Sequence, residues 1–308
     1  MTKVDLITGF LGAGKTTFIS HYVKWLRGKN KSFAVIENEF GRAGADSAVL
    51  MDMGVAVSEL AGGCICCTLK VNFVATLIEL SKTFERIIVE PSGIFSMDDF
   101  FEVMNAPDVK KCCETGFVIT VVDPLSLDGI TGDAEVVLST QLHSTGMVVL
   151  SMAERISMNE IRRVCGKITD ISNITRENTD NDIIFKTLPW DEFEDEDFFD
   201  IENSAPKHAK HKFIPVNHTT IFFTTTVKPE RTFSHGEIFG KLDTMMKDDM
   251  YGDILRIKGG VLSETGNILW VNATVSGVTV KEIKDGPDFI NVIGKGMDRK
   301  KITDLLNA

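Results

Sequence analysis

Gly9-Phe10-Leu11-Gly12-Ala13-Gly14-Lys15-Thr16-Thr17 is the stretch that decides how this chain is read. It fits G-x-x-x-x-G-K-[ST], the pattern of a loop that cradles phosphate groups. Its surroundings fit as well. Val4 to Thr8 is a short apolar run that reads as a buried strand. After the loop, Phe18, Ile19, Tyr22, Val23 and Leu26 recur at helical spacing. Strand, glycine-rich loop and helix is the context such a motif requires. Backbone N–H groups then point inward at a polyphosphate, with a helix N-terminus beneath it. Gly9 and Gly14 frame the loop because a Cβ there would block the backbone's approach or its unusual dihedrals. Gly12, Ala13 and Thr17 complete the phosphate-binding set. Lys15 is placed to neutralise the β- and γ-phosphates, and Thr16 to put its hydroxyl on a magnesium ion.

The chain around this loop has 308 residues, enough for two domains, with 43% hydrophobic and 25% charged residues. A net charge of -11 argues against nonspecific nucleic-acid binding and suits attraction of cations. No apolar run is long enough to span a bilayer. The first strand starts almost at Met1, so no export signal is expected and the cytoplasm is the expected compartment. There are six cysteines. Five of them crowd into two clusters, Cys64, Cys66, Cys67 and Cys112, Cys113. Adjacent cysteines bridge each other poorly, so reduced thiols with metal or redox chemistry are expected.

Along the chain, Ser32 to Asn38 reads as a second buried strand. It leads into Glu39-Phe40-Gly41-Arg42-Ala43-Gly44-Ala45-Asp46, a loop suited to a nucleotide-sensing switch. Val55 to Leu60 is a further strand, followed by Gly62-Gly63-Cys64-Ile65-Cys66-Cys67. Three thiols within four residues, beside two glycines that permit a turn, form a nest of soft ligands for zinc, copper(I) or related ions. The rival reading is a thiol redox sensor. Leu69 to Phe84 reads as a helix. Arg86 to Glu90 is an apolar strand ending in an acid, followed by Pro91-Ser92-Gly93. Such a carboxylate faces the ligand crevice of an α/β sheet. Glu90 is thereby placed to organise magnesium or the attacking water, and Gly93 to donate its N–H to a γ-phosphate. Phe117 to Asp123, Met147 to Leu150 and Ile183 to Thr187 read as strands, and Ser157 to Ile168 as a helix. Cys112 and Cys113 read as a partly buried turn.

Strands alternating with helices predict an α/β fold, a doubly wound and mostly parallel sheet. The first domain is expected over 1–189. The run 190–219, acidic from Asp191 to Glu202 and then basic around His208 and His211, reads as an exposed linker. From 220 to 308 a strand, a helix, several antiparallel strands and a helix predict a smaller α+β domain.

With these residues in place, the chain resembles the CobW-type branch of the P-loop GTPases, related to the urease and hydrogenase maturation GTPases. Gly9 to Thr17 looks like the family's P-loop, Glu37 to Gly41 like its first switch, and Gly62 to Cys67 like its G-G-C-x-C-C signature. Glu90 to Gly93 looks like its glutamate-bearing Walker B motif. Ile254 to Gly259 with Trp270 resembles the opening of its C-terminal domain. The resemblance implies a metallochaperone, a slow GTPase whose nucleotide state is coupled to delivery of zinc, cobalt or nickel to a client metalloprotein or cobalamin-related enzyme. Lys15, Thr16 and Glu90 carry the catalytic roles. Glu37, Cys66 and Cys67 are the carried-over metal ligands, with Cys64 beside them. Self-association into a homo-oligomer is left open. The chain departs from the family at base recognition. Where N-K-x-D is the pattern, it has Ser151-Met152-Ala153-Glu154. Glu154 can still accept hydrogen bonds from guanine, but ATP becomes an alternative to GTP. A nonenzymatic, nucleotide-responsive maturation factor is the alternative function.

Overall fold

Thr2–Thr8 forms β1. Its alternation explains the layers: Val4 and Leu6 pack into one apolar cluster, and Ile7 into another on the opposite face. In a computed structural model the described residues are 1–37, 57–59, 68–93, 95, 97–175, 183–206 and 222–308. They divide into two compact units, one ending before and the other beginning after residues 207–221.

In the first unit β1 leads to α1 (Lys15–Gly28) and β2 (Phe33–Glu37). Next come β3 (Val57–Glu59), α2 (Thr68–Leu80), β4 (Arg86–Glu90), α3 (Met97–Met104) and β5 (Cys113–Val122). Then follow α4 (Asp133–Ser144), β6 (Met147–Leu150), α5 (Met158–Ser172), β7 (Ile184–Lys186) and α6 (Asp195–Glu202). The strands form one sheet in the order β3-β2-β4-β1-β5-β6-β7. Every described pairing in it is parallel. All of its strands therefore end at the same edge, and the order reverses around β1, where a crevice opens at the carboxyl ends. Helix α1, with Phe18, Ile19, Tyr22, Val23 and Leu26, covers one face. Phe73 and Leu77 of α2 and Phe100 and Val103 of α3 cover the other. Helix α5 starts at a capping box in which Ser157 and Glu160 satisfy each other's backbone N–H groups.

Two expectations are corrected, and two helices are added. The acidic run is not an exposed linker over its first half. Asp195–Glu202 is a helix whose Phe198 and Ile201 are buried in the same cluster as α1. Its acids mask a two-residue apolar stripe, and several of them are paired: Asp195 with Lys29, Asp197 and Asp200 with Lys186. Helices α3 and α4 are additional elements. Cys113 opens β5 and is buried instead of lying in a turn, and burial pushes its thiol up to about 12.

In the second unit β8 (Phe223–Val227), α7 (His235–Lys247) and β9 (Asp253–Leu262) are followed by β10 (Ile268–Thr274), β11 (Gly277–Ile283), β12 (Ile290–Lys295) and α8 (Arg299–Asn307). Its antiparallel sheet runs β11-β10-β9-β12-β8. Ile238, Leu242 and Met245 of α7 and Ile302 and Leu306 of α8 share one core with Ile257, Val261, Val271 and Val292 of the sheet. This is an α+β arrangement. No described helix is long and apolar enough to cross a membrane.

Candidate nucleotide site

The loop between β1 and α1 has the backbone that its glycines predict. Gly9, Gly12 and Gly14 all have positive φ, at 145°, 78° and 98°. Gly9 also runs against β5: a Cβ there would lie 2.2 Å from the Val121 carbonyl oxygen. Gly14 is the N-cap of α1 and supplies no side-chain cap. The first N–H groups of a fourteen-residue helix therefore face the loop's interior, where an anion is stabilised.

Lys15 is only 6% exposed. Its Nζ donates to the carbonyl oxygens of Gly9 (3.0 Å) and Phe10 (3.3 Å), so the ammonium lies inside the arch of its own loop. Thr16 Oγ1 donates to Glu90 Oε1 at 2.9 Å, across 74 residues of sequence. A hydroxyl and a carboxylate side by side at the foot of a phosphate loop are an all-oxygen donor set of the kind magnesium takes. Ala13 is buried beneath the loop, and Thr17, on the first turn of α1, is exposed.

Glu37 ends β2 directly opposite Glu90 of β4, and Glu59 of β3 is opposite Glu37. In register on neighbouring parallel strands, Glu37 and Glu90 project from the same face about 5 Å apart along the sheet. Glu37 is 7% exposed. Gly93 is the next contact with the loop. A Cβ on it would lie 2.4 Å from the backbone nitrogen of Leu11, so the turn after β4 presses on the loop with no room for a side chain. Gln141, in the last turn of α4, donates through Nε2 to the Gly93 carbonyl at 3.1 Å and holds that turn from behind. Gly93→Ala is accordingly expected to weaken nucleotide binding at least about tenfold and to cost about 1–3 kcal/mol in stability, as overpacking does. Calorimetric titration together with urea unfolding checks both numbers.

Lys15, Thr16, Glu90 and Gly93 are thus brought together around the loop. Glu154 occupies the turn Ala153–Arg155 after β6, exposed to solvent and 3.7 Å from Arg155 Nε. Cys64, Cys66, Cys67, the switch loop from Glu39 to Asp46, His208 and His211 lie outside the described residues. Two residues at the site carry no motif. Gln141 is a glutamine in the last turn of a helix, and Trp190 sits at the head of the acidic run with its ring tip at Gly14. Only the tertiary contacts reveal either of them.

The family model for the CobW/HypB/UreG nucleotide-binding domain matches residues 3–178. The chain belongs to this family of P-loop GTPases. The matched span contains the loop, Glu37, Glu90, Gly93 and Glu154, and leaves out Trp190. Among individual relatives, "Zinc chaperone YeiR" of Escherichia coli K12 is 34% identical over 160 residues, covering 50% of this chain and 48% of that protein. "Zinc chaperone CobW" of Pseudomonas aeruginosa is 29% identical over 198 residues, covering 54% and 52%. "Zinc-regulated GTPase metalloprotein activator 1" of Schizosaccharomyces pombe is 28% identical over 187 residues, covering 56% and 44%. The chain thus spans about half the length of the curated relatives it matches.

Proposed function

We propose that this CobW/HypB/UreG family member is a nucleoside triphosphate-dependent metallochaperone, with GTP as the first candidate nucleotide and zinc as the first candidate cargo. One observation carries the reading. The Thr16–Glu90 hydrogen bond joins the start of α1 to the end of β4, the strand beside the one that ends in Glu37, the described member of the proposed cargo site. A change at the γ-phosphate that moves the end of β4 is felt by the end of β2 without any long relay.

In this reading the loop N–H groups and Lys15 bind the phosphates. Thr16 holds magnesium, and Glu90 completes its shell or orders the attacking water. Magnesium supplies charge neutralisation at the transferring phosphoryl group when bound. Gly93 offers its N–H to the γ-phosphate, and Gln141 fixes the peptide that follows it. Glu154 accepts hydrogen bonds from guanine. The cargo metal is held by Glu37, Cys66 and Cys67, with Cys64 beside them. Thiolates with a carboxylate also suit cobalt and nickel. The relatives named as zinc chaperones put zinc first. A client metalloprotein receives the metal.

Zinc titration against a competing chromophoric chelator tests the cargo site. The Cys66→Ala/Cys67→Ala variant is expected to bind zinc at least about tenfold more weakly than wild type. The wild-type affinity is expected to change when Mg-GTP replaces Mg-GDP. Equal zinc affinity in variant and wild type sinks the thiol assignment. Equal affinity in the two nucleotide states sinks the coupling.

A further inference from the structure

Gly14, the last glycine of the loop, has two neighbours beside its α-carbon. A Cβ built on it would lie 3.1 Å from Trp190 Cη2 and 3.3 Å from Ser151 Cβ. Both side chains therefore border the point where the phosphate loop becomes a helix. Trp190 is brought there by β7, the strand next to β6, and by Pro189, which starts the short turn Trp190–Glu192. Its ring stands edge-on to Phe18 at 5.6 Å and to His21 at 6.0 Å, both on α1. Its indole Nε1 is buried with no hydrogen-bond partner among the described residues.

Ser151 is buried at the end of β6, with its N–H and Oγ both directed to the Val122 carbonyl. The following residue, Met152, adopts a left-handed conformation (φ 50°) and launches the turn that carries Glu154. A left-handed non-glycine residue is held by its surroundings. Ser151, which precedes this turn, and the tip of Trp190 both lie beside Gly14 of the loop. An asparagine at 151 would extend one further heavy-atom layer, two atoms wide, toward the space beside Gly14 that Trp190 already borders.

We propose that Trp190 is a nucleoside-positioning residue. With the small Ser151 it forms a size-matched pair over Gly14 that fixes the base-facing turn to the phosphate loop by packing, in place of the side-chain amide that position 151 lacks. This rests on the nucleotide-binding reading above and adds to it a residue from outside the family-matched span. The pair acts on the nucleoside end of the ligand. Binding of phosphate alone depends on the loop N–H groups and Lys15.

A double-mutant cycle tests this, read as the ratio of Mg-GDP to Mg-pyrophosphate affinity by calorimetry. That ratio isolates what the nucleoside adds. Ser151→Asn and Trp190→Ala singly are each expected to lower it about tenfold, and the double variant to recover most of that loss, because contacting residues couple. Trp190→Phe keeps a ring against Phe18 and His21 but shortens the reach to Gly14. It is expected to lower the ratio by less than the alanine, and it takes the alanine's place in the cycle if Trp190→Ala does not fold. Single effects that simply multiply, or a ratio unchanged in the Trp190 variants while wild type binds GDP, overturn the role of Trp190 alone. A wild type that binds pyrophosphate but gains nothing from the nucleoside also overturns it. A wild type that binds neither ligand overturns the nucleotide reading and the pairing with it.

Discussion

Lys15→Ala is expected to lower single-turnover hydrolysis of Mg-GTP by at least about a hundredfold, the scale on which removal of one pre-placed charge donor acts. The argument starts from burial. The Lys15 ammonium is enclosed by the loop and donates to the Gly9 and Phe10 carbonyls. Those neutral acceptors position the charge. A polyphosphate entering the loop therefore meets a cation already aimed at the transferring group, and its developing negative charge gains most from that cation. Truncation removes the charge and the two hydrogen bonds to the loop carbonyls, so thermal stability should shift by only a few degrees, about 1 kcal/mol in a chain of this size. That separation of effects makes the experiment decisive. Phosphate release within twofold of wild type, in a variant that still melts cooperatively, would remove Lys15 from the proposed reaction. Glu90→Gln is the companion variant. It keeps an acceptor for Thr16 Oγ1 but loses the carboxylate charge, and it is expected to reduce turnover more than nucleotide affinity.

The loop could be read from sequence because its demands fall on the backbone. Positive φ at Gly9, Gly12 and Gly14, and the close approach of Gly9 to Val121, leave glycine as the residue that fits, so chemistry and spacing coincide in one short stretch. Glu90 was legible for a related reason. An acid at the carboxyl end of a buried parallel strand stands in the crevice, and its 74-residue separation from Thr16 closes once both elements share the sheet. Helix α6 was not legible. Three apolar residues among eight, of which only Phe198 and Ile201 are buried, give too weak a periodicity to outweigh the acids around them. What orders it is distant in sequence: Trp25 stacked on Phe198, Tyr22 bonded to Glu202, Lys186 paired with Asp197. The same blindness concealed Gln141 and Trp190. Each has its role through a single contact with a glycine of the site, Gly93 and Gly14, and no local pattern records it.

Arg86→Met is expected to destabilise the first unit by about 3–5 kcal/mol, the usual cost of stranding a buried charge. Arg86 opens β4 and is the centre of a buried network. Its Nη1 donates to Asp5 Oδ2 at 2.8 Å on β1, lies 3.0 Å from Glu202 Oε1 on α6, and donates to the Tyr22 hydroxyl on α1. Tyr22 in turn donates to Glu202 at 2.8 Å. Four elements are joined through one guanidinium, at the end of the strands opposite the nucleotide loop. Asp5 is fully buried, and Phe117 N–H donates to its other oxygen at 3.2 Å. Burial pushes the Asp5 carboxyl up to about 7, against the pull of Arg86 and of the Phe117 N–H. A carboxyl raised in the folded state binds its proton more tightly there than when unfolded. Its contribution is complete below the unfolded value near 3.8 and is lost as pH rises through about 7. Removing Arg86 takes away the main charge holding that value down, so the carboxyl rises further and the loss extends to higher pH. The deficit of Arg86→Met relative to wild type should therefore widen between about pH 5 and pH 8, measured by urea unfolding at both. A deficit that is the same at both pH values would mean that lost packing of the long side chain, and not the stranded carboxylate, accounts for the damage. Asp5→Leu/Arg86→Met separates the two further. With the charge gone from both ends, much of the single-variant loss should return, leaving Glu202 and Tyr22 to hold α6 against α1.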